Sequence, residues 1–155
     1  MKSICEINSL GTKSWYLNDL LHREDGPAIE YDDGSKRWCI NGLLHREDGP
    51  AIEYISGTKH WYINGKYHRE DGPAYEGFDG SKKWYINGNL HREDGPAIEY
   101  PSGSKFWCFD AKYHRADGPA IEHADGSKEW YYHGKFISCK DNQEFLRIVK
   151  LMVFI

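Results

Sequence analysis

Apolar and polar positions along the chain recur with a single period. Trp15, Trp38, Trp61, Trp84, Trp107 and Trp130 stand 23 positions apart, and Gly11, Gly34, Gly57, Gly80, Gly103 and Gly126 keep the same step. Between them run segments such as Ser35–Ile40 and Ala28–Tyr31, rich in aromatic and β-branched residues and too short for helices, which predict strands. Asn41-Gly42, Asn64-Gly65 and Asn87-Gly88 predict two-residue hairpin turns, because both central positions need positive φ. A second turn falls at Asp33-Gly34 and Ser56-Gly57, and recurs as Asp79-Gly80 and Asp125-Gly126. Each unit reads as two strands. The chain is therefore expected to be all-β, an antiparallel meander of six hairpin repeats with about eleven or twelve strands in one elongated, curled sheet.

The turns also predict a register. With a two-residue turn at Asp33-Gly34, Ile29 faces Trp38, Glu30 faces Arg37 and Tyr31 faces Lys36. With Asn41-Gly42 as the next turn, Trp38 meets His45, Lys36 meets Glu47 and Cys39 meets Leu44. One face then carries Trp, Ile and His. The other pairs Tyr62 with Tyr67, Tyr85 with Leu90, Cys108 with Tyr113 and Tyr131 with Phe136. Both faces are partly apolar, so the sheet is expected to curl, to be covered by a terminal segment, or to pair with a second copy as a homodimer.

Residues 1–10 read as an N-terminal cap, 11–138 as the array and 139–155 as a C-terminal capping helix. The helix carries a capping box of Asp141 and Glu144, with Phe145, Ile148, Val149, Met152 and Ile155 on one face. With 155 residues, 39% of them hydrophobic, the chain fits one folded domain. Its net charge of −4 lacks the basic footprint of a nucleic-acid binder. Neither a signal peptide nor a membrane-spanning apolar run is recognisable, which predicts a cytoplasmic protein without membrane association. Cys5, Cys39, Cys108 and Cys139 are widely spaced with no CxxC pair and read as reduced structural thiols.

The chemistry-bearing motif is His-Arg-Glu-Asp at 22–25, 45–48, 68–71 and 91–94, with Ala116 replacing Glu in a fifth copy. Five near-identical catalytic centres in so short a chain are not a credible enzyme, so no catalytic residue, cofactor or metal is expected. Trp38, Trp61, Trp84 and Trp107 with His45, His68, His91 and His114 read instead as a structural ladder. In that reading His stacks beside Trp, Arg pairs with a neighbouring acid along the array, and Asp-Gly-Pro shapes the bend. The alternative is a ligand-sequestering or metal-binding solenoid that uses the repeated His-Arg-Glu-Asp ladder.

Specificity in a repeat protein is sought at positions that break the period. The residue before each Trp varies most: Ser14, Arg37, His60, Lys83, Phe106 and Glu129. Beside it run Tyr62 and Tyr85 in one slot and Tyr67 and Tyr113 in the next. Arg37, His60, Tyr62, Tyr67, Lys83, Tyr85, Phe106 and Tyr113 are thus the candidate binding residues, an aromatic strip dotted with changing charge that suits a protein partner. Tyr75, Gly77 and Phe78 in the fourth unit, and Asp110 and Ala111 in the fifth, are the chief irregularities.

An aromatic position followed by Asn-Gly and then His, as at Trp38, Asn41-Gly42 and His45, with a Tyr-Asp-Asp-Gly-Ser turn as at 31–35, resembles the MORN repeat family over about residues 11 to 136. His-Arg-Glu-Asp-Gly-Pro-Ala stands here where MORN units have His-Gly-x-Gly. The resemblance implies successive β-hairpins in a long sheet and a scaffold for protein contacts. The Leu-His-Arg-x-Asp-Gly-Pro-Ala variant is similar to uncharacterised proteins of large bacteriophages, which implies a viral origin and a host or viral protein as partner.

Overall fold

A computed structural model describes residues 3–153. The first hairpin joins β1 (Ile4–Ile7) to β2 (Lys13–Leu17), and β2 also pairs with β3 (Leu20–Leu21). A four-strand unit follows: β4 (Ile29–Glu30), β5 (Lys36–Arg37), β6 (Cys39–Ile40) and β7 (Leu43–Leu44), and the pattern recurs to Phe136. Among the described residues 13 strands form one antiparallel sheet, a meander in the order β1, β2, β4, β5 and then the equivalent pair from each later unit. It does not close into a barrel. Pairs equivalent to β6 and β7 make a second row of short hairpins.

The described residues thus hold 23 short strands, not eleven or twelve. The reason lies at the tryptophan. Trp38 donates its N–H to the Ala51 carbonyl (2.8 Å) in the main sheet, while its own carbonyl accepts the His45 N–H (3.1 Å) in the hairpin row. The expected strand changes partner at this residue and is divided in two. Ala28, Ala51, Ala74, Ala97 and Ala120, which receive the successive tryptophan N–H groups, are wholly buried. The hairpins are tied to each other as well, since Arg23 N–H reaches Cys39 O (3.1 Å) and Gly42 N–H reaches Leu21 O (2.8 Å).

One turn has the expected geometry and the other corrects the register. Asn41 and Gly42 have φ of 49° and 79°, and the hairpin pairs Ile40 with Leu43 and Cys39 with Leu44. Tyr62–Tyr67, Tyr85–Leu90, Cys108–Tyr113 and Tyr131–Phe136 pair likewise. At Asp33-Gly34, however, Tyr31 N–H bonds to Ser35 O (2.9 Å), which encloses Asp32, Asp33 and Gly34 in a three-residue loop. The extra residue is taken up with Gly34 in the left-handed region at φ 88°. Ile29 therefore pairs with Arg37 and Glu30 with Lys36, one step from the expected partners, and Lys36 meets Glu53 rather than Glu47 on its other side. A one-residue shift exchanges faces, so the isoleucines leave the tryptophan side.

The chain ends in α1 (Asn142–Val153). Asp141 Oδ1 accepts the Glu144 N–H (2.9 Å), and the Glu144 carboxylate reaches back to the Lys140 N–H (3.0 Å). Phe145 is wholly buried and forms a small core with Ile137 and Val149, against which Trp130, Ile148 and Met152 pack. Ile155, assigned above to the same helical face, lies outside the described residues. Each tryptophan from Trp15 to Trp107 has an arginine eight positions on lying over its ring. At Trp130 that position is Ser138, and α1 supplies the packing instead. Among the described residues no helix is long and apolar enough to cross a membrane.

Candidate binding face

Alternation along the strands places the Trp, His and Arg ladders on one face and the residues that vary before each Trp on the other. On the tryptophan face one arrangement repeats five times. The Arg69 guanidinium lies 4.2 Å above the Trp61 ring, its Nε donates to Asp71 (2.9 Å), and its Nη1 donates to Pro73 O (3.2 Å) and Glu76 (3.1 Å). Arg23, Arg46, Arg92 and Arg115 do the same. A Cβ on Gly72 would stand 2.8 Å from Arg69 Cζ, so the glycine of Asp-Gly-Pro makes room for the guanidinium.

Two expectations are corrected here. It is arginine, not histidine, that covers the indole, because the planar guanidinium can stack on the ring while its edge satisfies two carboxylates. Those carboxylates lie two and seven residues on in the same unit, not along the array. Histidine is the link between units: Asn64 N–H donates to His45 Nδ1 (3.2 Å) and Asn87 N–H to His68 Nδ1 (3.2 Å), with Asp110 on His91 and His133 on His114.

Asp48, Asp71 and Asp94 are held below the usual carboxylate range, chiefly by their hydrogen bonds to Arg46, Arg69 and Arg92. Open clefts separate successive loops; one of about 670 Å³ is lined by Arg46, Asp48, Trp61, His68 and Asp71. The arginines lining it already have carboxylate partners. Among the described residues no group of three or more His, Cys, Asp or Glu side chains is placed to hold a metal ion.

The opposite face gathers the residues that vary. His60 Nδ1 lies 2.6 Å from the Tyr67 hydroxyl, and its ring packs 5.0 Å from Tyr75 and 5.6 Å from Tyr54. Tyr67 stands 4.1 Å from Tyr62 and 4.9 Å from Tyr85, ring centre to ring centre. Arg37 lies 5.3 Å over Tyr31 and Lys83 lies 5.0 Å over Tyr75. Phe106 then contacts Tyr100 and Tyr113, and Tyr113 contacts Tyr131. Arg37, His60, Tyr62, Tyr67, Lys83, Tyr85, Phe106 and Tyr113 thus share one strip, opposite the Trp and His ladders.

Tyr31, Tyr54, Tyr75 and Tyr100 belong to the same strip. Sequence reasoning missed them because the shifted register set Tyr31 opposite Lys36; their own spacing, one or three residues after each buried alanine, was the available signal. The fourth unit also makes sense here. A Cβ on Gly77 would meet the Tyr75 hydroxyl at 3.0 Å and the side chains of Asp79 and Ser81 closer still. Gly77 is therefore the counterpart of Tyr75, whose phenol fills space that the tyrosine of other units leaves.

The strip is electropositive at its centre. Burial, then the charges of Arg37 and Lys83, push the His60 pKa down, and its Nδ1 is hydrogen-bonded to the Tyr67 hydroxyl. Among the described residues neither Arg37 nor Lys83 has a carboxylate within ion-pair distance. Arg37 Nε is buried without a hydrogen-bond partner. Burial pushes the Cys108 thiol up to about 11 and raises Cys39 too, which leaves both protonated and poorly nucleophilic.

No protein-family model matches the chain, and no curated protein shows significant similarity to it.

Proposed function

We propose that this chain is a non-enzymatic, MORN-like scaffold that binds a protein through its tyrosine face, working in the cytoplasm. The observation that carries this reading is the division of labour between faces. The periodic residues satisfy one another on the tryptophan side, whereas the varying residues line a single half-buried aromatic strip on the other. Tyrosine and arginine offer large contact area at modest ordering cost, as protein interfaces require. The resemblance of the His-Arg-Glu-Asp-Gly-Pro-Ala loop to large-bacteriophage proteins supports a phage-encoded molecule that occupies or inhibits a host protein.

Affinity capture from host lysate tests the reading, comparing the native chain with a Tyr62→Ala, Tyr85→Ala variant whose circular dichroism is unchanged. The native chain is expected to retain a partner that the variant loses; equal capture by both overturns the assignment of the face. Calorimetry with Ca²⁺ and Zn²⁺ addresses the ladder. Tight binding at one site per repeat would replace the scaffold by a metal-sequestering solenoid.

A further inference from the structure

Resting on the protein-binding reading above, we infer that the strip takes an extended polyproline II segment whose acidic side chains, six residues apart, pair with Arg37 and Lys83. Three observations lead there. The first is chemical: among the described residues these two cations have no carboxylate within ion-pair distance, one with a buried Nε unsatisfied, whereas the five arginines of the opposite face each pair with two acids. An incoming carboxylate would supply what the face lacks. The second is the wall. Tyr31, Tyr54, Tyr62, Tyr67, Tyr75 and Tyr85 form a continuous aromatic row, packed on one another, on His60 and under the two cations, and a polyproline II helix lays its prolines on aromatic surface of this kind.

The third is metric. Each unit contributes two strands to the main sheet, so equivalent residues stand about 9.5 Å apart along the array. A polyproline II helix turns once in three residues and rises about 9.3 Å in that turn. The two periods drift by less than about 1 Å across the two units between Arg37 and Lys83. A residue at i meets Arg37, i+3 meets the imidazole of His60, i+6 meets Lys83 and i+9 meets Phe106. Beyond Phe106, Glu129 is already hydrogen-bonded to His123 and offers no anion site. A nucleic acid fits less well. Glu24, Glu47, Glu70 and Glu93 stand exposed on the opposite loops and the net charge is −4, so a long polyanion is repelled outside this short strip.

Fluorescence anisotropy on the full chain tests the inference with a labelled Glu-Pro-Pro-Gln-Pro-Pro-Glu-Pro-Pro-Leu peptide and its reversed sequence, since the helix can lie either way. One of the two is expected to bind saturably. Affinity is expected to fall about tenfold in Arg37→Gln and in Lys83→Gln, and to be unchanged in Lys36→Gln on the other face. Because Arg37 is partly buried, thermal unfolding accompanies each variant, and Lys83→Gln alone suffices if Arg37→Gln is unstable. Equal binding of a peptide with the two glutamates adjacent, tighter binding of a 20-residue oligothymidylate, or no binding of either peptide would each overturn the inference. If the peptides fail while lysate capture still depends on Tyr62 and Tyr85, only the ligand class falls. If capture is indifferent to those tyrosines, the protein-binding reading falls with it.

Discussion

One arginine per unit closes the loop, covers the indole and neutralises two acids, so its removal is felt in several interactions at once. Arg69→Met is expected to cost about 2 kcal/mol in urea denaturation, since it leaves Asp71 and Glu76 unpaired and removes the guanidinium from Trp61. Ala111 offers the reverse case. It stands at φ 61° where most other units have glycine, and a side chain in the left-handed region is strained. Ala111→Gly is expected to raise stability by about 0.5–1 kcal/mol, the relief of strain outweighing the added freedom of the unfolded chain.

Titration is also decided at single residues. Burial holds His60 and His114 below the ordinary histidine value of 6.5, helped by Arg37 and Lys83 at the first and by His133 at the second. As pH falls through 6.5 the unfolded chain takes up these protons before the folded one, so stability declines on acidification from that value. Asp48, Asp71 and Asp94 act lower. Their folded pKa lies under 3.8, so their contribution is present above that value and is lost as pH falls through the folded pKa. Thermal melts between pH 8 and pH 2 (a range chosen to cover roughly both groups) should show two successive declines. A melting temperature that rises on acidification below neutrality would contradict the first.

At the scale of elements, two kinds of turn do different work. The Asn-Gly turns keep the side chains in phase, while the three-residue loops at Gly34 and its equivalents displace the register and so send isoleucine to the tyrosine face. The helix α1 substitutes for the arginine that the last tryptophan lacks. Phe145→Ala is expected to cost about 3–4 kcal/mol, because the ring is wholly buried between α1 and the last unit and little can collapse into its place. The loss should appear in the fluorescence of Trp130 before that of the interior units, since contacts in an array are made between neighbours.

For the whole molecule the repeating register has a direct consequence: any interior unit is interchangeable with a gap of one period. Excision of residues 62–84, joining Trp61 to Tyr85, is expected to leave a folded, shorter array with a urea m-value lower by roughly one sixth. Loss of cooperative unfolding in that variant would show that the units are not stacked as equivalents. The period of 23, the hairpins at Asn41-Gly42 and its copies, and the helix opening at Asp141 were legible in the amino-acid order, because each rests on backbone preferences that a few adjacent residues state on their own. The candidate strip was legible in part, through the variation before each tryptophan. Tyr31, Tyr54, Tyr75 and Tyr100 were hidden by a turn one residue longer than its Asp-Gly suggested. Composition and spacing dictated that there would be repeated hairpins; which side chain lies on the indole, and which face each isoleucine joins, was settled only by folding. Those outcomes depend on contacts closed across strands, where one residue of register decides the neighbour and no local preference records it.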